Sequence, residues 1–369
     1  MKKRFKNLIA ILLTLSLILS VNMVSFANED NNEGKVKVTN ELILQMAERF
    51  SEIANPDLNL TAKNPVKFYD TNDKAIGYIV SYYSGNKERG YIIFDTTQEA
   101  LISEYSFDEA AKTPVETVKA RAKGISLNDR VYKTAPFTYG CKEDATNVIL
   151  NNYGETENVP STHSSNKPEW NDIFMEIKDI YENYTPISIK TIPEFISFDE
   201  FEEIEAKTGC YACTVTALYA CAYYYGAASY SNMKADYLKL WDLSKTEVDH
   251  VSGGITYGAT YAEHEGPALR SFCSSKGKTV EYRHINSPNY SFFTKCIDRG
   301  DIAIYSAGLN TSSGRAGHSL TVEGYASYLK NSSGKRVNTV LVYDGWNTYV
   351  RYLNIDYNFM DSTGTEYFG

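Results

Sequence analysis

The sequence predicts an α+β protein: a small helix-plus-hairpin unit, then a larger domain whose helices precede an antiparallel sheet. Three observations carry this prediction. Apolar residues recur at helical spacing in Glu41–Ala54 and again through 198–226, whereas strand-like runs crowd together after residue 278. Helices set ahead of strands describe an α+β layout, not the alternation of a doubly wound sheet. Between the two units, Asn151 to Trp170 becomes rich in Asn, Ser, Thr and Pro with few apolar residues to bury, as a linker does. The expected organisation is a leader over 1–27, a small α+β unit over 28–140, a linker over 141–170 and the larger domain over 171–369.

The leader reads from charge and polarity. Lys2, Lys3, Arg4 and Lys6 precede an apolar run from Leu8 to Val24, and Ser25-Phe26-Ala27 supplies small residues at the −3 and −1 sites. This is the pattern of a secretory signal peptide cleaved after Ala27. The run is near the lower bound of about 17–25 residues for a membrane span. No later segment is long enough, so a secreted chain without membrane association is expected. The 369 residues carry 37 Lys+Arg and 46 Asp+Glu, a charge of −9, and removing residues 1–27 takes four positive charges, giving −13. An acidic chain without Lys/Arg runs lacks the footprint that a nucleic-acid partner requires. A charged fraction of 22% against 43% hydrophobic residues excludes a disordered or coiled-coil chain. Six Cys are too few for a disulfide scaffold, and the 30 Tyr read as sheet and surface filler.

In Glu41–Ala54, Leu42, Ile43, Met46, Phe50 and Ile53 mark one helix face. Gly77–Ser84 and Gly90–Thr96 read as strands joined by the turn Gly85-Asn86-Lys87, hence a hairpin. Beyond the linker, helices are expected at 171–182, 198–226 and near 265–275. Strands follow at Lys278–Ile285, Asp301–Ser306, Ser319–Leu329, Asn338–Tyr343 and Val350–Ile355.

The chemistry concentrates in three stretches. In TGCYACTVTALYACAYYYG (208–226), Cys213 opens a run of small and apolar residues closed by Gly226, a C-cap residue. A thiol at a helix N-terminus lies among unsatisfied N–H groups and the positive dipole end, which favours the nucleophilic thiolate. Gly317-His318-Ser319 opens the strand SLTVEGYASYL, and VLVYDGWN (340–347) holds Asp344, Trp346 and Asn347. A hairpin turning about 331–333 brings His318 opposite a position between 344 and 348. Nucleophile, base and orienter then come from separate elements, as in a cysteine hydrolase. Asp344 or Asn347 can act as orienter, and Trp346 either shields the pair from water or fills core. Cys210 reads as a disulfide partner or as an alternative nucleophile. His163 falls in the linker, and His250, His264 and His284 lack a partner motif. No cofactor or metal is expected: no second CxxC or spaced His pair completes a zinc site. Ser252-Gly253-Gly254 with Gly258 lacks the ending of a phosphate cradle, so it reads as a groove-lining loop.

The order of these motifs is similar to that of the papain-like cysteine peptidases. CTVTALYACAYYYG resembles the nucleophile helix of the bacterial streptopain-like and bacteriocin-processing (double-glycine) peptidases, GHSLTVEGY their His strand and VYDGWN the strand of their third residue. Cys210-Tyr-Ala-Cys213 is similar to the paired Cys of papain, where the second is the nucleophile. The N-terminal helix and hairpin resemble the inhibitory prosegment of the streptopain-like group. The resemblance implies a secreted thiol protease made as a zymogen, acting on a peptide or protein substrate. Cys213 would be its nucleophile, His318 its base and Asp344 its orienter, with its own prodomain as inhibitor and cleavage in the linker. There are two departures. Cys213 and His318 are 105 residues apart, against about 130–150 in papain and the cathepsins. The family's oxyanion Gln is also missing, since Gln45 and Gln98 both precede the catalytic domain; such a donor is worth roughly 2.7–4 kcal/mol. Asn171, Asn183 or a backbone group is left to replace it. Two further functions fit the same motifs: a cell-wall peptidoglycan amidase or endopeptidase, and a catalytically silent surface or binding protein.

Overall fold

The computed structural model describes residues 34–122, 124–144, 146–154, 156–158, 171–192, 204–252, 254–311, 314–356 and 361–369. The expected leader, His163 and Gly253 lie outside the described residues. After β1 (Lys35–Lys37), helix α1 (Asn40–Ala54) begins where Thr39 Oγ1 accepts the Leu42 N–H at 3.3 Å. Its periodic face buries Ile43, Met46, Ala47 and Phe50. Strands β2 (Thr61–Tyr69), β3 (Ala75–Ser84), β4 (Lys87–Asp95) and β5 (Ile102–Ser106) form an antiparallel meander, with the expected hairpin at β3–β4. Helix α2 (Pro114–Arg121) starts with a Thr113/Glu116 capping box.

The first part of the expected linker, residues 141–158, is strand and turn among the described residues. Residues 127–158 form β6 (Leu127–Ala135), β7 (Thr138–Glu143), β8 (Val148–Asn151) and β9 (Thr156–Asn158). Cys141 and Leu150 bury in one cluster and Ile149 in another, and Asn151 and Asn152, which helped suggest a linker, are buried with partners. Asn151 donates to Glu157 Oε1 at 3.0 Å, and Asn152 Oδ1 accepts the Tyr139 N–H at 2.7 Å. Polar composition marked a loop where side-chain hydrogen bonds make a strand possible.

The second half contains β10 (Phe174–Glu176), α3 (Ile177–Ile180), β11 (Tyr184–Thr191), α4 (Ile204–Thr208), β12 (Cys210–Tyr211) and α5 (Cys213–Tyr224). Next come α6 (Met233–Leu243), β13 (Glu247–Ser252), β14 (Ile255–Ala259), α7 (Glu265–Ser275), β15 (Glu281–Asn286) and α8 (Tyr290–Arg299). The chain ends in β16 (Ile302–Thr311), β17 (Gly314–Lys330), β18 (Arg336–Tyr343), β19 (Arg351–Asn354) and β20 (Asp361–Phe368). The helix expected at 171–182 is instead β10 and a single turn, because β10 pairs with β1. Helices α6 and α8 and strands β11, β13, β14 and β20 were not anticipated.

The two expected units share one sheet, in the order β15-β20-β16-β17-β18-β19-β5-β4-β3-β2-β6-β7-β8-β9, with β11 added to β17. They meet where β19 pairs with β5, Tyr352 opposite Tyr105 and Leu353 opposite Glu104. Ser106 donates to the Val350 carbonyl at 2.6 Å and Asn354 Nδ2 to the Ile102 carbonyl at 3.0 Å. Helix α5 packs on one face of the C-terminal sheet among Ile302, Ile304, Tyr343 and Tyr367, while α8 covers the other with Phe292 and Phe293. Tyrosines are core material here as well as filler: Tyr78, Tyr82, Tyr91, Tyr105 and Tyr139 are all fully buried.

Candidate active site

Helix α5 is buried from Thr214 through Ala222, and its Ala and Thr residues are small enough to let neighbouring elements approach. It ends at Tyr224, with Gly226 at φ +64° in the left-handed position that closes a helix. Cys213 is its first residue, half-buried. Ala212 at the cap offers no side-chain acceptor, so the orphan N–H groups of the first turn remain available to an anionic group. The Cys213 sulfur accepts the Ser319 backbone N–H and also interacts with Thr214. Burial pushes the thiol up, those donors pull it back, and the nearby Glu265 charge adds to the rise.

That N–H belongs to the residue after His318, so α5 and β17 meet at this point. The hairpin β17–β18 turns as anticipated, with Leu329 opposite Arg336 and Thr321 opposite Tyr343. Extending that register brings His318 level with Trp346, and their ring centroids are 6.3 Å apart. The imidazole sits on the other side of the strand from the Ser319 hydroxyl, in a pocket formed with Tyr153, Phe137, Pro136, Tyr305 and Leu353. The Tyr153 ring lies 5.0 Å from it. Burial lowers the imidazole to about 4; the charge of Asp344 and a backbone hydrogen bond with that residue oppose the fall, and Arg351 reinforces it. His318 Nε2 is buried and has no hydrogen-bond partner among the described residues.

Asp344 lies beside His318, but its carboxylate is engaged by other donors. Oδ1 accepts the N–H groups of Trp346 and Asn347, each at 2.9 Å. Oδ2 accepts Asn347 Nδ2 at 2.7 Å and pairs with the Arg351 guanidinium at 2.9 Å. Asp344 therefore reaches the imidazole through its main chain and its field, and Asn347 braces Asp344. Gly345 makes this turn possible: it has φ +73°, and a Cβ there would lie 2.9 Å from Thr216 Cγ2 on α5. Trp346 packs on Tyr211 at 4.6 Å. Trp346 Nε1 and Tyr211 OH are, like His318 Nε2, buried without partners among the described residues. Orphaned polar atoms are rare in native cores and mark strain or function.

Residues missed by the sequence reading complete the surroundings. Arg351, 1% exposed, donates to Glu104 Oε1 at 3.3 Å and Tyr153 OH at 3.1 Å besides pairing with Asp344. Glu104 also accepts from Tyr91 at 2.8 Å. Arg121 Nη2 donates to the Trp346 carbonyl at 2.9 Å, with its guanidinium over the indole. Glu104, Arg121 and Tyr153 all come from the N-terminal half. Only a lone Arg within the strand-like run 350–355 could have hinted at this cluster.

Other expected residues lie elsewhere. All six Cys are free, so Cys210 forms no disulfide; it is half-exposed on β12, beside β14. Asn171 accepts from Arg130 at 3.2 Å, and the Asn183 carbonyl accepts from Asn331 at the far turn of the β17–β18 hairpin, roughly 40 Å of strand from His318. Neither stands at Cys213. His250 stacks on Tyr257 in the β13–β14 hairpin, and His284 bonds Thr365. Among the described residues no cluster of His, Cys, Asp and Glu could hold a metal. No helix among them is long and apolar enough to cross a membrane. No protein-family model and no curated protein matches this chain.

Proposed function

We propose that this chain is a papain-like, secreted cysteine peptidase in its latent precursor form. The observation that carries the reading is the convergence at Cys213: a thiol heading a buried helix accepts the N–H of the residue next to His318. In the reaction, the Cys213 thiolate attacks a peptide carbonyl carbon. The oxyanion forms beside the Cys213 N–H and the helix dipole, and protonated His318 passes its proton to the leaving amine. His318 then deprotonates a water that hydrolyses the thioester, releasing the acid and restoring the thiol.

Latency is supported by the state of both groups. The thiol is raised and the imidazole lowered to about 4, so at neutral pH each rests uncharged. The imidazole is caged by Tyr153 and Phe137, and both belong to the N-terminal half. His318 and Ser319 project from opposite faces of β17, so the imidazole and the thiol are not in contact. Releasing the N-terminal half, as the prosegment resemblance implies, must also let the backbone at 317–319 rearrange before the imidazole reaches the sulfur. The same uncharged pair also favours a silent binding protein, the second reading.

An epoxysuccinyl peptide inhibitor decides between them. We expect it to label Cys213 after proteolytic removal of the N-terminal half, with turnover of casein but not of purified murein. Absence of labelling under every activating condition would leave the silent protein. Murein turnover would make the chain a cell-wall hydrolase.

A further inference from the structure

Glu265 is the first residue of α7, is 0% exposed, and has no part in the reaction above. Its carboxylate ends a row of hydroxyls that starts beside Cys213, buried at Thr214 and Ser319 and half-buried at Ser306. Thr214 Oγ1 is 2.8 Å from Ser319 Oγ, which is 2.8 Å from Ser306 Oγ, and Ser306 donates to Glu265 Oε1 at 2.6 Å. On the other side Thr365 donates to Glu265 Oε2 at 2.7 Å, and His284 Nδ1 lies 2.8 Å from the Thr365 hydroxyl. Elements around Glu265 bring Cys213 and Cys221 from α5, Tyr367 from β20, and His284 through Thr365. Among the described residues no cation pairs with it. Burial pushes its carboxyl up to about 7.

A hydroxyl has one hydrogen to give. With Glu265 ionised, Ser306 and Thr365 both donate to it, Ser319 donates to Ser306, and Thr214 donates to Ser319, away from the sulfur. With Glu265 protonated, the carboxyl donates to Ser306, the row runs the other way, and the Thr214 hydrogen ends on Cys213. We propose that Glu265 is a positioning residue for Cys213: acting through Ser306, Ser319 and Thr214, it decides whether the Thr214 hydroxyl donates to the sulfur, and so how readily the thiolate forms. The inference rests on the reading of Cys213 as the nucleophile, and it works without contact between Glu265 and substrate.

The test is the pH profile of iodoacetamide alkylation in the full-length protein, with Cys213 resolved from Cys210 by tandem mass spectrometry. In E265Q the neutral amide cannot ionise, so the negative charge that draws the Ser306 hydrogen away from the row is absent at every pH. We expect alkylation of Cys213 at about pH 9, where wild-type Glu265 is ionised, to rise about three- to tenfold, with a smaller gain at pH 7 where wild-type Glu265 is already half protonated. T214V removes the end of the row, so E265Q/T214V should alkylate like T214V alone. Superimposable wild-type and E265Q profiles, or a gain that persists undiminished in T214V, would overturn the proposal. If E265Q does not fold, S319A decides: Ser319 interacts with Glu265 directly as well as through Ser306, so S319A cuts every route to Thr214 yet keeps the carboxyl, and a profile identical to wild type overturns the proposal equally. A profile altered in S319A supports it. Alkylation needs no peptide turnover, so a chain that cleaves nothing still answers this question, and a failed alkylation test leaves the peptidase reading standing.

Discussion

The imidazole of His318 holds a proton less readily in the folded chain than in the unfolded one, because its pocket excludes the water that would solvate the charge. Between its ordinary value of about 6.5 and its folded value of about 4, the unfolded chain binds more protons. Stability therefore falls as pH drops through that window, by up to about 3 kcal/mol. Glu265 has the opposite sign: raised to about 7 from an ordinary value near 4.3, it leaves the folded chain with more protons. Its contribution is lost as pH rises through that range, by a similar amount. The two oppose each other between about pH 4.5 and 6.5. Glu323 and Glu104 are also raised by burial and act with the sign of Glu265 in every variant, so the test is the difference from wild type: toward acid, urea titrations should show E265Q losing stability relative to wild type and H318Q gaining it. Equal slopes in all three would contradict both assignments.

At the scale of elements, the β6–β7 hairpin tip is the instructive feature. Pro136 and Phe137 form its two-residue turn, with Phe137 at φ +59°, a left-handed conformation that a bulky side chain rarely adopts. Such a residue costs on the order of 1–3 kcal/mol. The cost is offset because the ring enters the cluster of Phe292, Phe293, Tyr305 and Leu320 in the C-terminal domain. F137A forfeits about 3–5 kcal/mol of that packing and opens the wall of the His318 pocket. We expect full-length F137A to label with the epoxysuccinyl inhibitor at least tenfold faster than the full-length wild-type chain. Unchanged labelling would mean that the tip does not hold the site closed.

Across the whole molecule, the buried Glu104–Arg351–Asp344 cluster joins the halves. Arg351 and Glu104, at 1% and 0% exposure, would each be costly to bury alone. Removing one partner of such a pair costs about 3–5 kcal/mol. E104Q should accordingly lower the midpoint of a single unfolding transition reported alike by tryptophan fluorescence, from Trp241 and Trp346, and by far-UV circular dichroism. The same cluster and the shared β5–β19 seam predict that a chain cut at a protease site engineered within 159–170 elutes as one species in size exclusion. Spontaneous separation of the two fragments in native buffer would show the seam to be too weak to hold them.

The amino-acid order alone determined the local and adjacent features. These include the periodic face of α1, the β3–β4 hairpin, the length of α5 from Cys213 to its glycine stop, and the β17–β18 turn that sets His318 opposite a position between 344 and 348. Each depends on periodicity, turn chemistry or capping within a few residues, and such forces act along the chain. Only the tertiary structure decided that the two units share one sheet, that 141–158 are strands, and that no disulfide forms. It alone brought Glu104 and Tyr153 to Arg351 and ran a row of hydroxyls from Glu265 to Thr214. Glu104 and Tyr153 lie 247 and 198 positions from Arg351, and Thr214 lies 105 from Ser319, so burial and hydrogen bonding rather than local order join them. Single polar residues in apolar strands carry no local pattern that names their partners.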